Sequence, residues 1–197
     1  MAATGLREKK AARTRQQIVD AALDLFIAHG FEQTTMEEIA ERAEIGSSTL
    51  YRYFPSKDLV ILEPLLGFTE MGDHLRERPD DEPLRESLGA ALKGTLVGFT
   101  TDDRVAEVRR IVDNTPGPRA KLWDVMMTSR DRFEHALGER LGLPPDDLTV
   151  MLTARMCMVV YELAAEAWWA GDHSRAVSEV VDETLERVQA ASVVIPA

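Results

Sequence analysis

Apolar residues recur at intervals of three and four along almost the whole chain, and nowhere does an alternation of β-branched and polar residues persist. That period is the period of one face of an α-helix, so an all-α protein of about nine helices is expected. Turn-forming clusters interrupt the pattern at Arg78-Pro79-Asp80, Thr115-Pro116-Gly117-Pro118, Pro144-Pro145-Asp146 and Gly171-Asp172. Between them the spacing predicts helices over about 82–100, 103–113, 118–141, 146–170 and 174–192.

The N-terminal third carries the sharper signals. A first helix from Leu6 to His29 sets Ile18, Ala22, Leu25 and Phe26 on one stripe and ends at Gly30, which suits a left-handed cap. Thr35-Met36-Glu37-Glu38 fits a capping box, in which the hydroxyl and the glutamate satisfy each other's free amides. The short helix it opens, to about Ala43, turns Met36, Ile39, Ala40 and Ala43 inward. A Glu44-Ile45-Gly46 turn follows, and Ser47 or Ser48 can cap a second short helix containing Leu50, Tyr51 and Tyr53. Ser56 offers an N-cap to a longer helix reaching Phe68, with Asp58 in its first turn and a bend at Pro64.

Charge separates the two parts. The formal net charge of the 197 residues is −11, yet residues 1–57 are balanced, so the excess of acid lies beyond them. Arg7, Lys9, Lys10, Arg13 and Arg15 crowd the first 17 residues against Glu8 alone. A basic end on an acidic body points to an end that meets an anion. No charge-free apolar run is long enough to span a bilayer and the N-terminus lacks a secretory apolar stretch, so a cytoplasmic protein without membrane contact is expected. The single cysteine, Cys157, lies in an apolar run and reads as a small buried hydrophobe.

Two short capped helices joined by a glycine-containing turn, the second offering hydroxyls, form the pattern of a helix-turn-helix DNA-binding unit. Helix pairs of this kind also occur as plain packing units. The run Ile45-Gly46-Ser47-Ser48-Thr49-Leu50-Tyr51-Arg52-Tyr53-Phe54-Pro55-Ser56-Lys57-Asp58-Leu59, preceded by Phe31-Glu32-Gln33-Thr34-Thr35-Met36-Glu37-Glu38-Ile39-Ala40, decides between them. Over residues 12–60 the sequence resembles the TetR family of transcriptional regulators; beyond residue 60 only the helical layout is similar. The resemblance implies a three-helix DNA-binding domain at 1–57 packed on a larger helical bundle at 58–197 that binds a small effector and dimerises. It further implies a homodimeric repressor on a palindromic double-stranded DNA operator, released by the effector, with no cofactor.

Candidate DNA contacts follow residue by residue. Tyr53 occupies the position where the family has a phosphate-reaching histidine or tyrosine, the alternative being a half-buried aromatic. Tyr51 reads equally as a base or phosphate contact or as core. Lys57 sits in a helix's first turn, where the macrodipole disfavours a cation, so a phosphate partner would explain it; a solvated lysine is the alternative. Ser47, Ser48 and Thr49 can bond base edges, and Thr35 can present its hydroxyl to a phosphate. Arg52 is the only basic residue of the recognition segment, which leaves much of the affinity to phosphate contacts and to Arg13 and Arg15 in the basic arm.

In the C-terminal part, the segment 146–170 is apolar nearly all round and must be buried on more than one side. Phe68, Met71, Phe99, Trp123, Met126, Met127, Met158 and Trp169 are candidate liners of an effector pocket, or core. Arg155, Glu162 and Glu166 share a helix face, as polar hooks in the pocket or as charges paired or exposed. Val177, Val181, Leu185 and Val188 form a stripe that fits a dimer contact or packing within one chain.

Catalysis finds no support. No Glu-x-x-His motif, G-x-S-x-G elbow, P-loop or dinucleotide fingerprint occurs, and His29, His74, His135 and His173 stand apart, so no metal site is expected. The competing class is a helical effector-binding or adaptor protein without specific DNA binding.

Overall fold

The computed structural model describes residues 2–97, 104–171 and 174–192. Among them are ten α-helices and no strand: α1 (Ala2–His29), α2 (Met36–Arg42), α3 (Ser47–Tyr53), α4 (Lys57–Leu62), α5 (Met71–Arg76), α6 (Leu84–Val97), α7 (Arg104–Asn114), α8 (Pro116–Leu141), α9 (Leu148–Ala170) and α10 (Val177–Ala190). The all-α expectation holds. The extra helix arises at Pro64, where a break replaces the expected bend. Pro64 has no N–H to return to a carbonyl one turn back, so α4 stops at Leu62, two 3-10 turns cover Glu63–Leu65 and Gly67–Glu70, and α5 resumes at Met71.

The helices gather into two compact units, each discontinuous in sequence: Met1–Leu66 with Asp102–Trp123, and Gly67–Thr101 with Asp124–Ala197. Packing therefore does not follow a division at residue 57. α4 contacts α1, and α7 contacts both, because Val60, Ile61, Leu62, Val105, Val108 and Val112 must bury their apolar surface with α1's Ile18, Ala22 and Phe26. Each such side chain contributes about 1.5–3 kcal/mol when fully buried. Polar ties add direction: the Arg104 guanidinium donates to Asp20 Oδ1 at 2.8 Å and Asp24 Oδ1 at 2.9 Å, while Arg42 reaches Asp24 Oδ2 at 3.2 Å.

In the second unit α6 contacts α5, α9 and α10, and α9 and α10 lie together. Met71, Leu75, Leu92, Leu96, Phe133 and Leu137 are buried there. The Arg140 guanidinium holds the α5–α6 loop, donating to the carbonyls of Arg78 at 3.2 Å and Glu82 at 3.0 Å and to that of Pro79. α9 is long and apolar enough to cross a membrane by composition, but it buries Val150, Ala154, Met158, Tyr161, Ala165 and Trp168 in this unit.

Candidate nucleic-acid interface

The pair α2 and α3 is built from local signals. Gly30, at φ 89°, ends α1 as expected, its N–H donating to Phe26 O at 3.0 Å. Thr35 then caps α2: its Oγ1 accepts from the Glu38 N–H at 3.2 Å, and the Glu38 carboxylate accepts from the Thr35 N–H at 2.7 Å and from its hydroxyl at 2.9 Å. These bonds hold the Glu38 carboxyl below its ordinary range. The expected capping box is thus formed, with the Thr35 hydroxyl engaged in it.

The turn between α2 and α3 places Glu44, not a glycine, in the left-handed region at φ 54°. Gly46 is the N-cap of α3, in extended geometry and without a side-chain bond, so neither Ser47 nor Ser48 caps the helix. Both serines are exposed, as are Tyr51 and Arg52. On a helical wheel 47, 48, 51 and 52 form one face, opposite the fully buried Leu50. A seven-residue helix is marginal by itself, and Leu50 with Phe54 anchors it to the unit. The exposed face therefore offers two hydroxyls, a phenol and a guanidinium, groups able to bond base edges and phosphates.

Tyr51 Oη lies 3.4 Å from Glu37 Oε1, and burial and that carboxylate raise the phenol's pKa, keeping it a donor. Tyr53 and Thr49 are half-buried, with the Arg52 guanidinium 5.6 Å from the Tyr53 ring centroid.

Two expected cations are committed elsewhere. Lys57 Nζ donates to Phe31 O at 2.7 Å, Thr34 O at 3.0 Å and Glu32 O at 3.4 Å, and stands 4.4 Å from the Phe31 ring centroid. These loop carbonyls give the cation partners in a helix's first turn. Arg15 forms a two-pronged pair with Glu63, Nη2 to Oε2 at 2.6 Å, and lies over the Phe54 ring at 4.4 Å. The pair raises the Arg15 pKa further. Arg13 stays exposed on α1. Partners 26 and 48 positions away leave no local trace in the sequence.

The expected effector residues that are described differ in burial. Phe68, Met71 and Met158 are buried in the second unit, where Phe68 meets Tyr161 edge-on at 5.7 Å. Met126, Met127 and Trp169 are half-buried, Trp123 is 60% exposed and belongs to the first unit, and Phe99 lies outside the described residues. Arg155 donates to Glu134 Oε1 at 3.1 Å on α8 and to Met151 O at 2.9 Å, while Glu162 and Glu166 are exposed.

A groove of about 350 Å³ opens between α6, α9 and α10, and none of the described pocket candidates is among its lining residues. Leu185 and Val188, expected in a dimer contact, line it. Val181 is fully buried and Val177 half-buried. The exposed apolar stripe is on α9: Leu148, Leu152, Met156, Val159 and Leu163, each 41–67% exposed and spaced four, four, three and four. No group of three metal-ligating side chains comes together among the described residues.

Known proteins match both regions. Residues 18–63 match the family described as bacterial regulatory proteins, tetR family, and residues 82–192 the MftR C-terminal domain. The chain is 34% identical over 152 residues to the HTH-type transcriptional regulator TcmR of Streptomyces glaucescens, covering 73% of this chain and 67% of that protein. It is 27% identical over 187 residues to MftR of Mycobacterium tuberculosis, a regulator named for mycofactocin biosynthesis, covering 92% of each. Among solved structures, FadR of Bacillus subtilis in complex with stearoyl-CoA superposes with a TM-score of 0.59 at 19% identity, covering 89% of this chain and 97% of that one. The SmeT–triclosan complex does so at 0.57 and 23%, covering 89% and 91%. These two likenesses confirm the fold. The capped helix pair, the exposed face of α3 and the matches along both halves place the chain in the TetR family of bacterial regulatory proteins, DNA-binding transcriptional regulators and not enzymes.

Proposed function

We propose that the protein is a homodimeric repressor that acts in the cytoplasm, places α3 of each copy in the major groove of a palindromic operator, and leaves it when a small molecule binds the C-terminal region. In this reading residues 1–57 bind DNA and residues 58–197 bind the effector and dimerise. The observation that carries it is the face of α3: Ser47, Ser48, Tyr51 and Arg52 are exposed together while Leu50 is fully buried. The α9 stripe supports the dimer, since a continuous exposed apolar row is a surface awaiting a partner. The stearoyl-CoA and triclosan of the two structural relatives support an apolar effector.

Fluorescence anisotropy on DNA from upstream of the protein's own coding region, against a scrambled duplex at two salt concentrations, tests this reading. Tight, salt-sensitive binding that prefers the upstream DNA is expected. Equal binding to both duplexes would return the reading to an adaptor without specific DNA recognition.

A further inference from the structure

We propose that the groove between α6, α9 and α10 is a binding site for a small amphipathic anion, an apolar chain or ring ending in a carboxylate. Its walls are apolar, with Leu88, Leu92, Val160, Leu185 and Val188 among them, and its volume of about 350 Å³ falls in the range of small-molecule pockets.

Gly89 supplies an independent observation. Glycine inside a helix lowers stability relative to alanine, and a close neighbour usually accounts for it. Gly94, in the same helix, has such a neighbour: a Cβ there would lie 3.2 Å from the His74 ring. A Cβ at Gly89 would meet nothing within 4 Å, and the open space beside it is the groove. Packing within the chain does not account for this glycine, and the space beside it is left open to the groove.

The sign of the occupant follows from Arg85, one turn before Gly89. Arg85 borders the groove, its guanidinium donates to the neutral Gln189 Oε1 at 2.5 Å, and neither Asp nor Glu is among the described lining residues. An anionic end can bond that guanidinium while its tail lies along the leucines. A second copy of the chain is the other candidate occupant, since Met156 belongs both to the groove and to the exposed α9 stripe, and protection of Cys157 separates the two.

The site is tested with octanoate and octanol as probes, by calorimetry on the full chain without DNA. The inference rests on the effector-responsive reading only for its consequence, so its failure leaves operator affinity untouched. Octanoate should bind at least about tenfold more tightly than octanol, and Arg85→Gln should remove the difference. Gly89→Leu should abolish binding of both; Gly89→Ala, which adds one methyl to a helix, should weaken octanoate severalfold and serves if the leucine variant does not fold.

Cys157, the single cysteine, lines the groove, and burial pushes its thiol up to about 12. Octanoate should slow its reaction with methyl methanethiosulfonate severalfold further. Octanoate binding undiminished in both Gly89 variants, or absent from the native chain, would overturn the site. So would protection of Cys157 that rises with protein concentration and is unchanged by octanoate, which would assign the groove to a second copy.

Discussion

The ammonium of Lys57 lies 2.7 Å from the carbonyl oxygen of Phe31 and 4.4 Å from the centroid of the same residue's ring, so the start of α4 grips the loop that joins α1 to α2. With Thr34 O at 3.0 Å it satisfies carbonyls that the end of α1 and the loop leave open. Charged hydrogen bonds of this kind contribute about 1.5–3 kcal/mol, discounted here because the side chain is half-buried. Lys57→Ala should therefore lower unfolding stability by about 1–2 kcal/mol in urea. It should weaken DNA binding without changing its salt dependence. A salt slope reduced by about one unit at unchanged stability would show a phosphate contact instead.

On the exposed face of α3, Arg52→Ala should weaken operator binding by about tenfold and lower the salt slope by about one unit if the guanidinium meets a phosphate. Loss confined to one operator position would mark a base contact. An unchanged affinity for every duplex would remove Arg52 from the interface.

A charge in the middle of the α9 stripe should break the proposed dimer. Val159→Glu adds no buried group to the monomer, since Val159 is exposed, so a folded monomer by light scattering and circular dichroism is expected. Persistence of the dimer would move the contact to another face.

The Glu82 carboxyl, bonded by Arg78 and by Ser87 at 2.7 Å, is held down at about 2. A carboxyl lowered on folding stabilises the native state above its unfolded value of about 4.3 and loses that contribution as pH falls through the folded value. Acid unfolding between pH 4.3 and 2 should thus be shallower in Glu82→Gln than in the native chain, as followed by circular dichroism.

Glu44 holds a left-handed conformation that costs a residue with a Cβ about 1 kcal/mol. Glu44→Gly should raise the unfolding free energy measured in urea by about 0.5–1 kcal/mol and leave the turn unchanged. A destabilised variant would show that the Glu44 side chain contributes more than its backbone costs.

The ends of α1 and α2 were legible in the sequence because their partners lie within one helical turn: Gly30 bonds Phe26, and Thr35 bonds Glu38. Periodicity likewise identified Ile18, Ala22 and Phe26 as buried on α1, while Leu25 is half-buried and Val19 and Leu23 join the core, since a helix presents its third and fourth neighbours to one side whatever it packs against. The N-cap of α3 was misassigned because the backbone of the turn, set by Glu44 and the burial of Leu50, puts Gly46 and not a serine at the boundary. Arg15 and Lys57 were read as DNA contacts, and tertiary structure gave them Glu63 and the Phe31 loop. The α10 stripe could equally serve a partner or its own chain; packing against α6 and α9 buries Val181, while Leu185 and Val188 border an open groove. Local hydrogen bonds and helix faces depend on residues a few positions apart and are written in the sequence. The partner of a long cation, and the face left open to solvent, depend on which distant segments the core brings together, and only the folded chain determines that.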